Sequence, residues 1–121
     1  MVYLDQGLEY FHETAIRNTG TKTPKYIEYG SGTSITSSDT ELESAFLCKS
    51  LAWSQVGSNS LFEVTLLSTE CNGSDINQIG LSATNIVGST DLFLKDYSFI
   101  SLKNNTFEIQ VEGEIQIERG E

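Results

Sequence analysis

The sequence is short of the residues on which most catalytic and metal sites are built. In 121 residues it has one histidine, two cysteines, one tryptophan and one proline. A zinc site takes three or four histidine, cysteine or carboxylate ligands at recognisable spacing. His12, Cys48 and Cys71 offer no such pattern, which excludes metal catalysis. A Ser-His-Asp or Cys-His set would have to be built on His12, which follows the core-facing Phe11 on a helix and reads as a surface or half-buried side chain. Two cysteines without C-x-x-C spacing are too few for a disulfide framework, so both read as free, buried thiols. Basic residues are scarce as well: 7 against 17 acidic, for a formal charge of -10. A surface of that sign repels a nucleic-acid backbone and an anionic membrane, and it steers toward basic partners. No run of apolar residues is long enough to span a bilayer, and MVYLDQGLEYFHET lacks the charged and apolar regions of a signal peptide. The expectation is a non-enzymatic chain with no catalytic residue, no cofactor and no metal, and without a signal peptide or transmembrane segment.

What is present is mostly β pattern. Leu4, Leu8, Phe11 and Ala15 recur at helical spacing, which predicts a helix over about 5–18 with that stripe facing the core. Asp5 is its expected N-cap, and Asn18-Thr19-Gly20 its stop. Pro24 forbids further helix and feeds a strand at 25–29. In AFLCKSLAWSQV the later part reads as a strand. LFEVTLL alternates Phe62, Val64 and Leu66 against Glu63 and Thr65, as a half-buried strand does. Asn72-Gly73 is a hairpin-type turn. DINQIGLSAT gives a strand with Ile79 and Leu81 on one face and something packed closely over Gly80. In TFEIQVEGEIQIE, Phe107, Ile109, Val111, Ile115 and Ile117 hold the odd positions with Gly113 in phase, while acidic and amide residues hold the even ones. That is one long strand with a polar face that is solvated or guards an edge, and it is expected to pair with YSFISLK in a hairpin through Asn104-Asn105. The chain is expected to be a single domain over 1–121, with strands from about 25 to 118. Its class is mainly β, bordering on α+β: an antiparallel β-sandwich or sheet of five to seven strands with the helix packed on it.

The stretch KYIEYGSGTSITSSDTELES invites a ligand-binding reading. Gly30 and Gly32 lack the lysine and hydroxyl residue that complete a phosphate loop, and read as a turn closing the first strand. Asp39, Glu41 and Glu43 alternate as calcium ligands do, but the glycine of the twelve-residue calcium loop is missing from its place. Ser38 or Asp39 capping a short helical turn, with Leu42 docked in the core, explains the same residues. Exposed aromatics can form a sugar platform, for which Trp53, Tyr26, Tyr29 and Tyr97 are the candidates; a lone tryptophan in a strand-rich domain is as a rule a core residue.

The order of these features resembles the phage tail-collar or tail-fibre N-terminal domain family and related small virion proteins of tailed viruses. The matching residues are Leu4 to Gly7 with the helix; Pro24, Ile27, Gly30, Gly32 and Thr33; Asp39, Thr40 and Leu42; Phe62, Val64 and Leu66; Ile76, Ile79, Gly80 and Leu81; and Ser98 through Ile117. The resemblance implies a virion structural protein, assembled in the host cytoplasm, with no catalytic residue to transfer. It would form symmetric homo-oligomers, with a trimer favoured, alongside other virion proteins at a tail, baseplate, fibre base or capsid surface. Gly7, Pro24, Gly30, Gly32, Asp39, Leu42 and Gly80 are then structural motif positions. The alternative is a free-standing module that binds a carbohydrate or a host receptor through exposed aromatics, with Trp53, Tyr26 and Tyr29 as its contacts.

Overall fold

The computed structural model describes residues 1–100, 103–106 and 108–115, with the backbone alone at 99 and 100. The alternating segments become strands: β1 (Val2–Tyr3), β2 (Tyr26–Gly30), β3 (Ala45–Ser50), β4 (Ala52–Val56), β5 (Asn59–Leu66), β6 (Ile76–Ser82), β7 (Leu92–Ile100) and β8 (Ile109–Ile115). Every pairing is antiparallel. They form a five-stranded sheet in the order β1-β7-β6-β2-β3 and a three-stranded sheet in the order β4-β5-β8. The protein is thus mainly β with one N-terminal helix, as the pattern predicts, with one strand more than the upper limit of seven among the described residues.

The core forms where the inward positions of the two sheets meet. Ile27 and Tyr29 of β2, Leu81 of β6 and Leu94 of β7 pack with Phe62, Val64 and Leu66 of β5. These side chains are almost wholly buried, and each of the aliphatic ones and Phe62 contributes roughly 1.5–3 kcal/mol on leaving water. The alternation in LFEVTLL therefore sets β5 with the expected face inward. A smaller cluster of Leu4, Leu42 and Leu92 joins the helix entry and the 37–44 segment to β7. Leu42 docks as expected.

Several expectations are corrected. The last strand does not pair with YSFISLK in a hairpin: β7 lies in the larger sheet beside β6 and β1, whereas β8 pairs with β5 from Ser60↔Ile115 to Leu66↔Ile109. The reason lies at Gly113, opposite Phe62, where a Cβ would come within 2.3 Å of the Phe62 ring. The glycine in phase makes room for an aromatic of β5. Residues 107 and 116–118 of the predicted strand lie outside the described residues. Asn72-Gly73 does turn, with Gly73 at φ +82°, but it carries the chain from one sheet to the other and closes no hairpin. Both halves of AFLCKSLAWSQV are strands, one in each sheet.

The helix, α1, runs over Asp5–Phe11 and widens into a π turn over His12–Ile16, where the Arg17 N–H reaches the His12 carbonyl. It ends at Ile16, two residues before the predicted 18, and the chain turns away at Asn18 in the left-handed region (φ 54°). Asp5 is not the N-cap. Leu4 holds that position without a side-chain cap, and the Asp5 N–H is taken by the Ser37 carbonyl at 2.8 Å. Gly7 lets the helix lie against the backbone of Phe93, since a Cβ there would sit 2.1 Å from its carbonyl oxygen. Phe93 is the extra residue where the β6–β7 register shifts, and a bulge of this kind re-aims a side chain. Its ring meets Tyr10 edge-on at 5.3 Å and Phe11 at 5.0 Å.

A candidate functional site in an apolar groove

The helix stripe Leu4, Leu8, Phe11 and Ala15 is predicted to face the core, and only its first member does so fully. Leu4 is buried, Phe11 half-buried, Ala15 exposed, and Leu8 is 48 % exposed. The described residues leave the rest of the stripe uncovered, because the helix is docked through Gly7 and Phe93 at one end of the larger sheet. Between the helix and the end of the smaller sheet lies a groove of about 810 Å³. Leu8, Phe11 and Ile16 form one wall, and Tyr3, Trp53 and Ile115 face them. Ile16, on the π turn, is the most exposed large apolar side chain of the protein's described residues, at 72 %.

Trp53 joins the groove to the core. Its indole N–H donates to the Pro24 carbonyl at 2.7 Å, and its ring stands edge-on to Phe62 at 5.4 Å. Pro24 thus anchors a groove wall, and the helix has already ended eight residues before it, at Ile16. The polar contribution is small: His12, Thr23, Lys25 and Ser60. His12 and Lys25 are both exposed and make no ion pair among the described residues. Arg17, Lys22, Lys49 and Lys95, by contrast, each pair with a carboxylate. Lys25 therefore stands at the groove as a cation with no carboxylate partner among the described residues, on a strongly acidic chain.

The aromatics named from sequence are not brought together. Tyr29 is wholly buried between the sheets, and burial raises its hydroxyl well above the ordinary tyrosine range. It cannot meet a ligand. Tyr26 is half-buried on β2, one position out of phase with the inward Ile27, and takes no part in the groove. Tyr97 is exposed on β7, also outside it. Trp53 alone lies there, and the partners it has, Tyr3 and Phe11, were hidden in a helix stripe and a two-residue strand.

The hydroxyl-rich stretch places its residues elsewhere. Gly30 and Gly32 close no turn. Gly30 ends β2 and Gly32 follows it, both beside the 42–44 segment, where a Cβ on Gly30 would come 2.7 Å from the Glu43 carbonyl oxygen and one on Gly32 would come 2.4 Å from the Glu43 Cβ. Asp39 caps no helix. Its carboxylate accepts from the Thr36 N–H at 2.9 Å, the Thr36 hydroxyl at 2.7 Å and the buried Lys95 ammonium at 3.0 Å. The Thr36 N–H foremost, then its hydroxyl and Lys95, hold Asp39 down to about 2 against the opposing effect of burial. A polar hollow of about 360 Å³ opens beside this pair, lined by Ser34, Ser38, Thr40, Glu41 and Glu43. Gly80 behaves as expected, with the Leu92 side chain 3.2 Å from where its Cβ would be.

Cys48 and Cys71 are free and half-buried, and burial lifts both thiols, Cys48 to about 11. Low thiolate content makes them poor nucleophiles. No cluster of metal-ligating side chains occurs among the described residues, and no helix there is long and apolar enough to cross a membrane. Comparison with protein-family models, curated proteins and solved structures finds no match.

Proposed function

We propose that the chain is a non-enzymatic structural protein that assembles with copies of itself through the apolar groove. The observation that carries this reading is the helix stripe left half-covered. A large apolar surface left open on one side of a folded domain marks a site of association. Lys25 at the groove, with no ion pair among the described residues, favours an occupant that is apolar and acidic. A second copy meets both requirements, since its surface carries the excess of acid. Contact between the groove of one copy and a different surface of the next is head-to-tail, which closes into a ring when the rotation permits; a trimer is the smallest such ring. A place in the tail, baseplate, fibre base or capsid surface of a tailed virus, beside other virion proteins, is the setting that the order of sequence motifs supports.

Sedimentation velocity over a range of concentration tests the proposal. The wild-type chain is expected to form a discrete oligomer, and Leu8→Glu and Ile16→Glu to return it to monomer with an unchanged circular-dichroism spectrum. Val87→Glu, at an exposed position outside the groove, is expected to leave the oligomer intact. A wild-type monomer at every concentration overturns the reading.

The presence of Trp53 in the groove favours a second reading, a receptor-binding module. Its indole N–H is already committed to Pro24, and the surroundings are poor in the groups that hydrogen-bond sugar hydroxyls. A monomer stabilised by a saccharide in a thermal-shift series would decide for that reading over assembly.

A further inference from the structure

Glu28 lies in the middle of the larger sheet, on β2 opposite Cys48 of β3 and Gly80 of β6. It is wholly buried. Oε1 accepts the Gly88 N–H at 2.7 Å, while Oε2, equally buried, has no hydrogen-bond partner. Gly88 belongs to the 83–91 connection between β6 and β7. That loop is closed at its base by Ala83 N–H to the Asp91 carbonyl (3.2 Å) and at its tip by Ser89 N–H to the Ile86 carbonyl (3.1 Å). Gly88 sits at φ +78°, where side-chain-bearing residues are strained. Ile86 and Val87 at the tip are 62 % and 50 % exposed, so little apolar burial holds the tip down, whereas the far end of the loop is tied by buried Ser89, by Gln6 to the Thr90 carbonyl and by Lys22 to Asp91.

We propose that the Glu28 carboxyl is a proton-operated latch on the tip of the 83–91 loop: neutral, it holds Gly88 against the sheet, and ionised, it lets the tip lift to admit water. A buried charge with one oxygen unsatisfied is costly, and lifting the exposed tip is the least disruptive way to hydrate it. The groups that bear on Glu28 act in both directions. Burial is the largest and raises it above its ordinary 4.5; the N–H groups of Gly88 and Ser89 favour the carboxylate; Glu41, from the 37–44 segment, opposes it. On the β3 side stands the Cys48 thiol, 3.8 Å from the Thr84 carbonyl, itself lifted by burial and by Glu28. On the β6 side Gly80 contributes no side chain.

Two measurements on the whole chain test the latch. Carbon-detected NMR of the Glu28 carboxyl should show one titration above the ordinary glutamate range, and the Gly88 amide proton should move upfield over the same interval as its hydrogen bond is lost. Glu28→Gln, which keeps an acceptor oxygen but cannot ionise, should leave the Gly88 amide insensitive to pH. The proposal is overturned if Gly88 does not respond while the carboxyl titrates, if its amide moves downfield as a bond strengthened by the carboxylate would, or if Glu28→Gln retains the response. Should that variant not fold, the paired wild-type titrations decide alone.

Discussion

Gly7, Gly30 and Gly32 matter for the space that they leave, because each stands where another part of the chain occupies the position of a Cβ. At Gly30 the obstacle is a backbone carbonyl, which cannot step aside as a flexible side chain can. Gly30→Ala is expected to destabilise by about 1–3 kcal/mol, read as a lower midpoint in urea with the slope unchanged. Gly7→Ala should cost at least as much, since the whole helix must retreat from Phe93. Asp39 is the counterpart among charged residues. Asp39→Ala strands the Lys95 ammonium, only 2 % exposed, and loss of one partner from a buried pair costs about 3–5 kcal/mol. The pH profile follows from two carboxyls shifted in opposite directions. Asp39, lowered from 3.8 to about 2, contributes stability above its unfolded value that is lost as the pH falls through about 2. Glu28, raised from 4.5, contributes stability that is fully present below 4.5 and lost as the pH rises through its folded value. Glu28→Gln should therefore flatten the decline that begins above 4.5 and leave the acid limb unchanged, as thermal melts across pH will register.

At the scale of elements, the strands were legible in the sequence because their burial is one-sided. β5 and β8 alternate, and alternation survives any choice of partner. Partner choice was not legible. Asn104-Asn105 next to two apolar runs suggests a hairpin, yet the pairing depends on Phe62 finding the empty position at Gly113, a match between residues far apart in the chain. Gly113→Ala should push that ring toward Trp53, lowering stability by about 1–3 kcal/mol and changing the tryptophan emission. The helix was legible as a periodicity but not as a boundary, since its start is fixed by Ser37 and its dock by Phe93. Gln6 gave no sequence signal at all. Its amide donates to the carbonyls of Thr40, Thr90 and Leu92 at 2.7–3.0 Å, tying the helix to two loops. The Gly30-to-Leu42 stretch looks like a ligand loop because hydroxyl and acidic residues serve turns and ligands alike, and only the Asp39 to Lys95 pairing shows what they hold.

At the scale of the molecule, the groove was written into the sequence but pointed the wrong way. Leu4, Leu8, Phe11 and Ala15 predict a face that is covered, and the fold covers only part of it. A period reports that a face is apolar and is silent on whether its own chain or another one buries it. Trp53, alone of its kind in the chain and lining the groove, makes the occupant directly measurable. The decisive measurement is the emission of Trp53 across a dilution series, with iodide quenching at each concentration. Assembly through the groove predicts that dilution shifts the emission to the red and raises quenching, with the midpoint moved to higher concentration by Ile16→Glu. An emission and a quenching constant that do not change with concentration, while sedimentation shows the oligomer coming apart, would contradict it.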